Sequence, residues 1–477
     1  MLVRLKINGF KNFSNVEIAF GPFTCIAGTN GVGKSNLFDA IMFLRDLTDY
    51  SLTEAAARVR DPVGRSGDLQ AIFHRNSAGQ IQEMSFECDF VVAKNVVDDF
   101  GRVADASTTF LKYSLALRYV PKSSASSERI EIVKEELSYI QKGNAKTLLG
   151  FPHSTSFRDS IIVGRRTKDF ISTAIEDGQA VINLHQDGIQ GRPFKVPAAS
   201  SPKTILGGIN TDSHPTVLAA RREMQSWALL QLEPSALRQP DNFAAESNVS
   251  PNGAHMPSTL LRLDAGAAVA NQLSNLISDI KSVTVDQDEG RRLNTLMVTS
   301  RDGVSHPARA LSDGTLRFLA LSILSADPNA GRLICLEEPE NGIHPSRIPA
   351  MLNLLESIAV NPEEAVDAKY NPLRQIIINT HSPSVVSSLK PDTLILTRPI
   401  KENGVTVADF CCLEFTWRTV GSSLVKPMPI ISKADLLSFL TDEPVVTKLN
   451  IQPEIRPTVR DSARQLGLFD YVADIAK

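Results

Sequence analysis

Eight consecutive residues, Gly28-Thr29-Asn30-Gly31-Val32-Gly33-Lys34-Ser35, have the types and spacing that hold phosphate. The glycines let backbone N–H groups turn inward and ring an anion. A helix opening near Lys34 adds partial positive charge at its first turn. The pattern assigns Lys34 to β- and γ-phosphates and Ser35 to magnesium. Asn30, Gly31, Gly33 and Asn36 complete the nucleotide-binding candidates here. In a second tract, Leu333-Ile334-Cys335-Leu336-Glu337-Glu338, an apolar run ends in two carboxylates. Strand ends of this kind are where ligands gather in α/β sheets. Glu337 would hold the magnesium through water, and Glu338 would polarise an attacking water. Leu311-Ser312-Asp313-Gly314-Thr315 would present the Ser312 hydroxyl and the Gly314 N–H to a phosphate at a helix start. His381 would donate a hydrogen bond to a γ-phosphate and joins Glu338 as a catalytic candidate. Taken singly, each has a blander reading: a glycine turn, a solvated acidic turn, a helix cap, a surface histidine. Their order along one chain favours chemistry.

These residues need elements to hold them. Residues 2–7 and 16–20 alternate apolar and polar, as a hairpin does. Phe23 to Ala27 reads as a short strand, and Leu37, Ile41 and Leu44 share one face of the helix after it. Residues 81–92 and 109–119 read as strands, giving a β-rich first lobe. Helical stretches such as 215–232 mix with Pro/Ser/Asn-rich loops from 150 to 264, the span of a mixed helical insertion. Helix 265–281, two strands with a turn at Asp302-Gly303, helix 314–325, strand 332–336, helix 348–359 and strands 375–379 and 393–397 form an α/β second lobe. The division is therefore 1–149, 150–264, 265–420 and a tail, 421–477, expected to be helical and irregular.

Composition sets outer limits. The 477 residues carry a net charge of −3, so nucleic acid would have to meet a local patch or a partner's charge. No apolar run approaches a membrane span, and the first residues read as a strand rather than a leader. Five cysteines, none in Cys-x-x-Cys, imply a reduced, cytoplasmic setting without a zinc site. No sustained heptads predict a long coiled coil.

The order of the four tracts resembles that of ABC-type ATPases. Leu5-Lys6-Ile7-Asn8-Gly9-Phe10-Lys11-Asn12-Phe13 resembles the opening of RecF, Rad50 and SMC heads. The 311–315 tract and Glu337-Glu338-Pro339-Glu340-Asn341-Gly342-Ile343-His344-Pro345 look most like bacterial RecF/OLD-like ATPases, many of which serve phage defence in Septu- and PARIS-type systems. The resemblance implies an ABC-type ATPase head of α/β class that uses ATP and Mg2+. Two heads would dimerise head to tail, with Ser312 and Gly314 of one completing the site of the other. It places Lys11 and Asn12 near the nucleotide and a magnesium-sensing glutamine after the first helix, for which Gln70 is the candidate and Gln80 its rival. Two departures stand out. Glu337 replaces the usual Asp, and Asp313 replaces a glycine, so its charge must point away or meet a cation. Beyond His381 there is no Asp-x-Asp to suggest a Toprim nuclease; Asp286-Gln287-Asp288 lies earlier, at an expected hairpin turn.

The resemblance favours the ATP-hydrolysing subunit of an anti-phage defence complex. It would act as a homodimer or higher oligomer and control a separate nuclease or toxin effector. A RecF-like DNA-repair or recombination ATPase acting on DNA is the alternative, a non-hydrolysing scaffold is a third reading, and DNA or RNA stands as a further partner class. The basic clusters Arg165-Arg166-Thr167-Lys168 and Arg221-Arg222 read as solvated faces before nucleic-acid contacts. Apolar groups at 436–440 and 466–469 would either pack on the head or dock the effector.

Overall fold

The computed structural model describes residues 1–59, 68–75, 79, 83–124, 127–164, 166, 168–188, 191–277, 279–419 and 427–441. Gln80, Arg165, Thr167, residues 466–469 and most of the tail lie outside this set. The fold is mixed α/β, built around two large sheets.

The first sheet is antiparallel and eight-stranded. Its order is Phe194–Pro197, Gln179–Leu184, Ile171–Glu176, Arg129–Tyr139, Phe110–Val120, Met84–Val91, Leu2–Asn8 and Val16–Ala19. The second has six strands: Trp227–Leu230, Leu333–Glu337, Gln375–Thr380, Phe23–Ala27, Leu394–Glu402 and Val405–Cys412. All its pairings are parallel except the last. A hairpin of Ile280–Asp288 with Leu293–Ser300 anchors a third, smaller sheet.

Burial on both faces explains the continuous apolar runs of the parallel strands. Side chains alternate between two cores, as the two-residue strand period requires. Ile26, Leu333, Cys335, Ile377 and Ile395 join the core shared with the helix Lys34–Asp46 and the antiparallel sheet. Cys25, Ala27, Ile334, Leu336, Ile376 and Ile378 face the helices Asp313–Ala326 and Ile348–Ile358. Truncating such a side chain to Ala costs roughly 2–5 kcal/mol. All five cysteines are free and buried. Among the described residues, no helix is long and apolar enough to cross a membrane.

The segment 150–264 differs from a mixed helical insertion. It adds three strands to the antiparallel sheet and the strand Trp227–Leu230 to the parallel one. The helix expected over 215–232 ends at Gln225, and the chain then becomes that strand. A short apolar run such as Trp-Ala-Leu-Leu suits a buried helix or a buried strand equally, and its parallel neighbour Leu333–Glu337 decides. The helix expected over 265–281 runs Gly266–Leu276, and Ile280 already begins a strand.

Candidate nucleotide site

Four parallel strands deliver their C-terminal ends to one edge of the six-stranded sheet. Phe23–Ala27 leads into the glycine loop, and Leu333–Glu337 into Glu338. Gln375–Thr380 leads into His381, and Trp227–Leu230 into Gln231. Together they open on a cavity of about 610 Å3 lined by Asn30, Gly31, Gly33, Lys34, Ser35, Asn36, Gln231, Glu233, Arg317, Glu337, Glu338, Asn341 and Asn379, among others.

The loop is shaped by its glycines. Gly33 has φ +124° and caps the helix Lys34–Asp46. A Cβ there would come within 2.8 Å of Asn12 Nδ2 and 3.0 Å of Ala408 Cβ. Lys34 Nζ donates to the carbonyls of Gly28 at 2.6 Å and Thr29 at 2.8 Å. Burial lowers its affinity for a proton; the charges of Glu338, Glu340 and Glu337 oppose this only in part. Asn12 braces the loop from outside the cavity. Its Nδ2 donates to Val32 O at 2.9 Å, and its Oδ1 accepts from Asn36 Nδ2 at 2.7 Å. Lys11, with φ +47°, pairs with Asp39 at 2.7 Å. Neither Lys11 nor Asn12 lines the cavity.

The acidic pair is held by its neighbour strand. Glu338 has φ +44°, a costly conformation for a non-glycine residue. Its N–H donates to Asn379 O at 3.1 Å and Asn379 Oδ1 at 3.0 Å, which fixes that geometry. Its carboxylate accepts from Asn341 Nδ2 at 2.8 Å and meets His381 Nδ1 at 2.8 Å. Burial pushes the Glu338 carboxyl up, but these partners and the charges of His381 and Lys34 outweigh it and hold it below its ordinary value. Asn379 Nδ2 lies 3.5 Å from Glu337 Oε1. Glu337 Oε2 accepts from Nε2 of Gln231.

Gln231 is the residue that the sequence reading missed. Gln70 instead bonds the Tyr119 hydroxyl at 2.7 Å and Arg75 at 3.1 Å, and does not line the cavity. Gln231 had no local signal, because its place follows from pairing with a strand a hundred residues away. Arg317 was missed too, although an arginine within Leu316-Arg317-Phe318-Leu319 was a visible anomaly.

Ser312 and Gly314 lie outside the cavity lining of their own chain. Ser312 caps the helix Asp313–Ala326, its Oγ accepting from Thr315 N at 3.3 Å. Asp313 meets a cation, since Nη2 of Arg238 donates to its Oδ1. Asp286 and Asp288 sit at the end of the hairpin strand Ile280–Asp288. The basic clusters tie down chain. Arg166 donates to Asp187 O at 2.6 Å, Arg221 to Thr48 O at 2.9 Å, and Arg222 pairs with Asp99. In the helix Lys433–Thr441, Leu436, Phe439 and Leu440 pack on the second core.

The oxygen donors Ser35, Glu337 and Gln231 suit a hard divalent cation. The glycine loop, with no room for a Cβ at Gly33, suits a phosphate chain.

Sequence comparison agrees with this geometry in two separate stretches. Residues 4–147 match an AAA domain model. Residues 220–387 match another AAA domain model, described by reference to the AbiEii toxin and a type IV toxin–antitoxin system. DNA replication and repair protein RecF of Paenarthrobacter aurescens (strain TC1) is 33% identical over 60 residues, 12% of this chain and 15% of that protein. The chain thus matches well under a fifth of the length of this relative. Among solved structures, an SMC head bound to the C-terminal winged-helix domain of ScpA has TM-score 0.46 at 13% identity over 87% of this chain and 98% of that one. The SMC head domain from Thermotoga maritima has TM-score 0.38 at 14% identity, over 85% and 97%. Likeness at that level is too distant to bear on function. The stretches matched by the two AAA domain models contain the glycine loop, Gln231, the 311–315 tract, the acidic pair and His381.

Proposed function

We propose that this chain binds and hydrolyses ATP at the cavity between the glycine loop and Glu337-Glu338, as the motor subunit of an anti-phage defence complex. The observation that carries the ATP reading is the convergence of Lys34, Ser35, Gln231, Glu337 and Glu338 on one cavity. Lys34 and the loop N–H groups hold the phosphates. Ser35, Glu337 and Gln231 would hold Mg2+, which supplies charge neutralisation at the β- and γ-oxygens when bound. Glu338, kept ionised by Asn341 and His381, takes the proton of the attacking water. Ser312 and Gly314 sit outside their own cavity, which supports a head-to-tail pair in which they complete a second copy's site. The defence role, acting through a separate nuclease or toxin rather than by DNA cleavage within this chain, draws on the toxin–antitoxin description of the matched AAA domain. An ATPase acting on DNA in repair is the second reading, favoured by the RecF match.

Glu338→Gln should bind ATP and hydrolyse it roughly 10²–10⁴-fold more slowly. Lys34→Ala should lose binding. Normal turnover in Glu338→Gln would overturn the assignment. Co-purification with neighbouring gene products, with and without ATP, separates the two roles: a nuclease or toxin supports defence, and replication proteins support repair.

A further inference from the structure

The helix Asp313–Ala326 carries apolar residues into the second core, together with two buried polar ones, Ser322 and Arg317. Arg317 is 7% exposed and lines the nucleotide cavity. Its Nε is buried without a hydrogen-bond partner. Among the described residues its guanidinium enters no ion pair. Of the two carboxylates whose charges reach it, Asp313 is paired with Arg238, and Glu340 accepts from the Thr380 hydroxyl through Oε1, while its Oε2 is buried without a partner and, among the described residues, pairs with no guanidinium. A buried guanidinium cannot shed its proton, and leaving it unpaired is costly. Among the described residues, Lys34 and Arg317 are the two cationic side chains on the cavity wall, one from the glycine loop and one from the helix that Ser312 caps.

We propose that Arg317 is a phosphate ligand in cis, which takes the terminal phosphate of bound ATP from the side opposite Lys34. The anion meets the guanidinium on its cavity side and offsets the burial of the charge. The planar fork suits a phosphate bearing several equatorial oxygens. ADP, which ends one phosphate short, leaves the guanidinium without this contact. Arg317 lies on the helix that presents Ser312 and Gly314, so the same contact ties the orientation of that helix to the nucleotide in its own chain. This inference rests on the proposed ATP site.

The test is equilibrium binding of fluorescent ATPγS and fluorescent ADP to the full chain, kept dilute and verified monomeric. Arg317→Met keeps the apolar stem and removes the fork; Arg317→Lys keeps a charge. Arg317→Met should weaken ATPγS roughly 10- to 100-fold, as loss of charge-assisted hydrogen bonds does, with ADP changed by less than about threefold. Arg317→Lys should fall between Arg317→Met and wild type. Equal weakening of both nucleotides, or of neither, in variants that melt like wild type without nucleotide would overturn the proposal. If Arg317→Met melts differently, the Arg317→Lys comparison decides by the same criterion. Lys34→Ala serves as the reference. If it too binds ATPγS normally, the ATP site itself is misassigned; if it alone loses binding, only the role of Arg317 falls.

Discussion

Nδ1 of His381 lies 2.8 Å from Oε1 of Glu338, so the histidine at one strand end and the carboxylate at the next form a single unit. The sequence aims His381 at a phosphate; the structure aims it first at Glu338. The two roles coincide only in the doubly protonated ring: a neutral ring that donates from Nδ1 to the carboxylate keeps Nε2 as an acceptor.

This pairing fixes the sign of a pH effect. Burial raises the Glu338 carboxyl and its partners lower it further than burial raises it, so it stays ionised as the pH falls through the ordinary carboxylate range. His381→Ala removes a lowering partner. The acid limb of the ATPase pH–rate profile should therefore move to higher pH than in wild type. An unmoved or lowered limb would show that His381 does not tune Glu338.

Gln231 and Gln70 make opposite forecasts for magnesium. Gln231 contacts Glu337 on the cavity wall, whereas Gln70 contacts Tyr119 and Arg75. Gln231→Ala should raise the Mg2+ concentration for half-maximal hydrolysis by roughly 10- to 100-fold, in the range of groups that orient metal ligands. Gln70→Ala should leave it near wild type. Titration of both variants against Mg2+ decides, and a larger effect at Gln70 would reverse the assignment.

Closure of two heads can be separated from helix capping. Ser312 caps its helix, so Ser312→Arg sacrifices about 1 kcal/mol of capping as well as blocking a partner's phosphate. Ser312→Asp keeps the cap and repels phosphate. Both should bind ATP as monomers yet fail to dimerise with ATP in analytical ultracentrifugation of the Glu338→Gln background. ATP-dependent dimers of wild-type strength in both would exclude the sandwich.

Glu135 gives a stability forecast away from the site. It is fully buried on the strand Arg129–Tyr139 and accepts from Ile205 N at 2.7 Å, Leu206 N at 2.9 Å and the Tyr113 hydroxyl at 3.1 Å. Burial pushes its carboxyl up to about 7, against the hydrogen bonds that lower it. The folded chain thus keeps a proton that the unfolded chain releases near 4.5. The stabilising contribution is complete below that value and is lost as the pH rises to about 7, by about 3 kcal/mol. Urea midpoints from pH 5 to 7.5 should fall in wild type more steeply than in Glu135→Gln. Parallel profiles would show that Glu135 is ionised throughout.

The local chemistry was legible in the sequence because each tract sits within a few residues of chain. The glycine loop needs its spacing and a strand before it, and Glu337-Glu338 needs an apolar run ending in carboxylates. The hairpin Leu2–Asn8 with Val16–Ala19 and the helix Lys34–Asp46 follow from periodicities of 2 and 3.6, and the buried parallel strands of the second lobe from short continuous apolar runs. Even the demand that Asp313 point away or meet a cation was readable from its charge.

The partners across the chain belonged to the tertiary structure alone. Arg238 answers Asp313 only because the two segments pack together. Gln231 joins Glu337 because Trp227–Leu230 pairs in parallel with Leu333–Glu337, a pairing that no residue near 231 announces. The ambiguity of a short apolar run hid the strand Trp227–Leu230, and with it one wall of the cavity. Types and spacing determine which groups can hold phosphate and move a proton. Which glutamine faces Glu337, and which arginine is buried without an ion-pair partner on the same cavity, depends on non-local packing between strands and helices far apart in the chain.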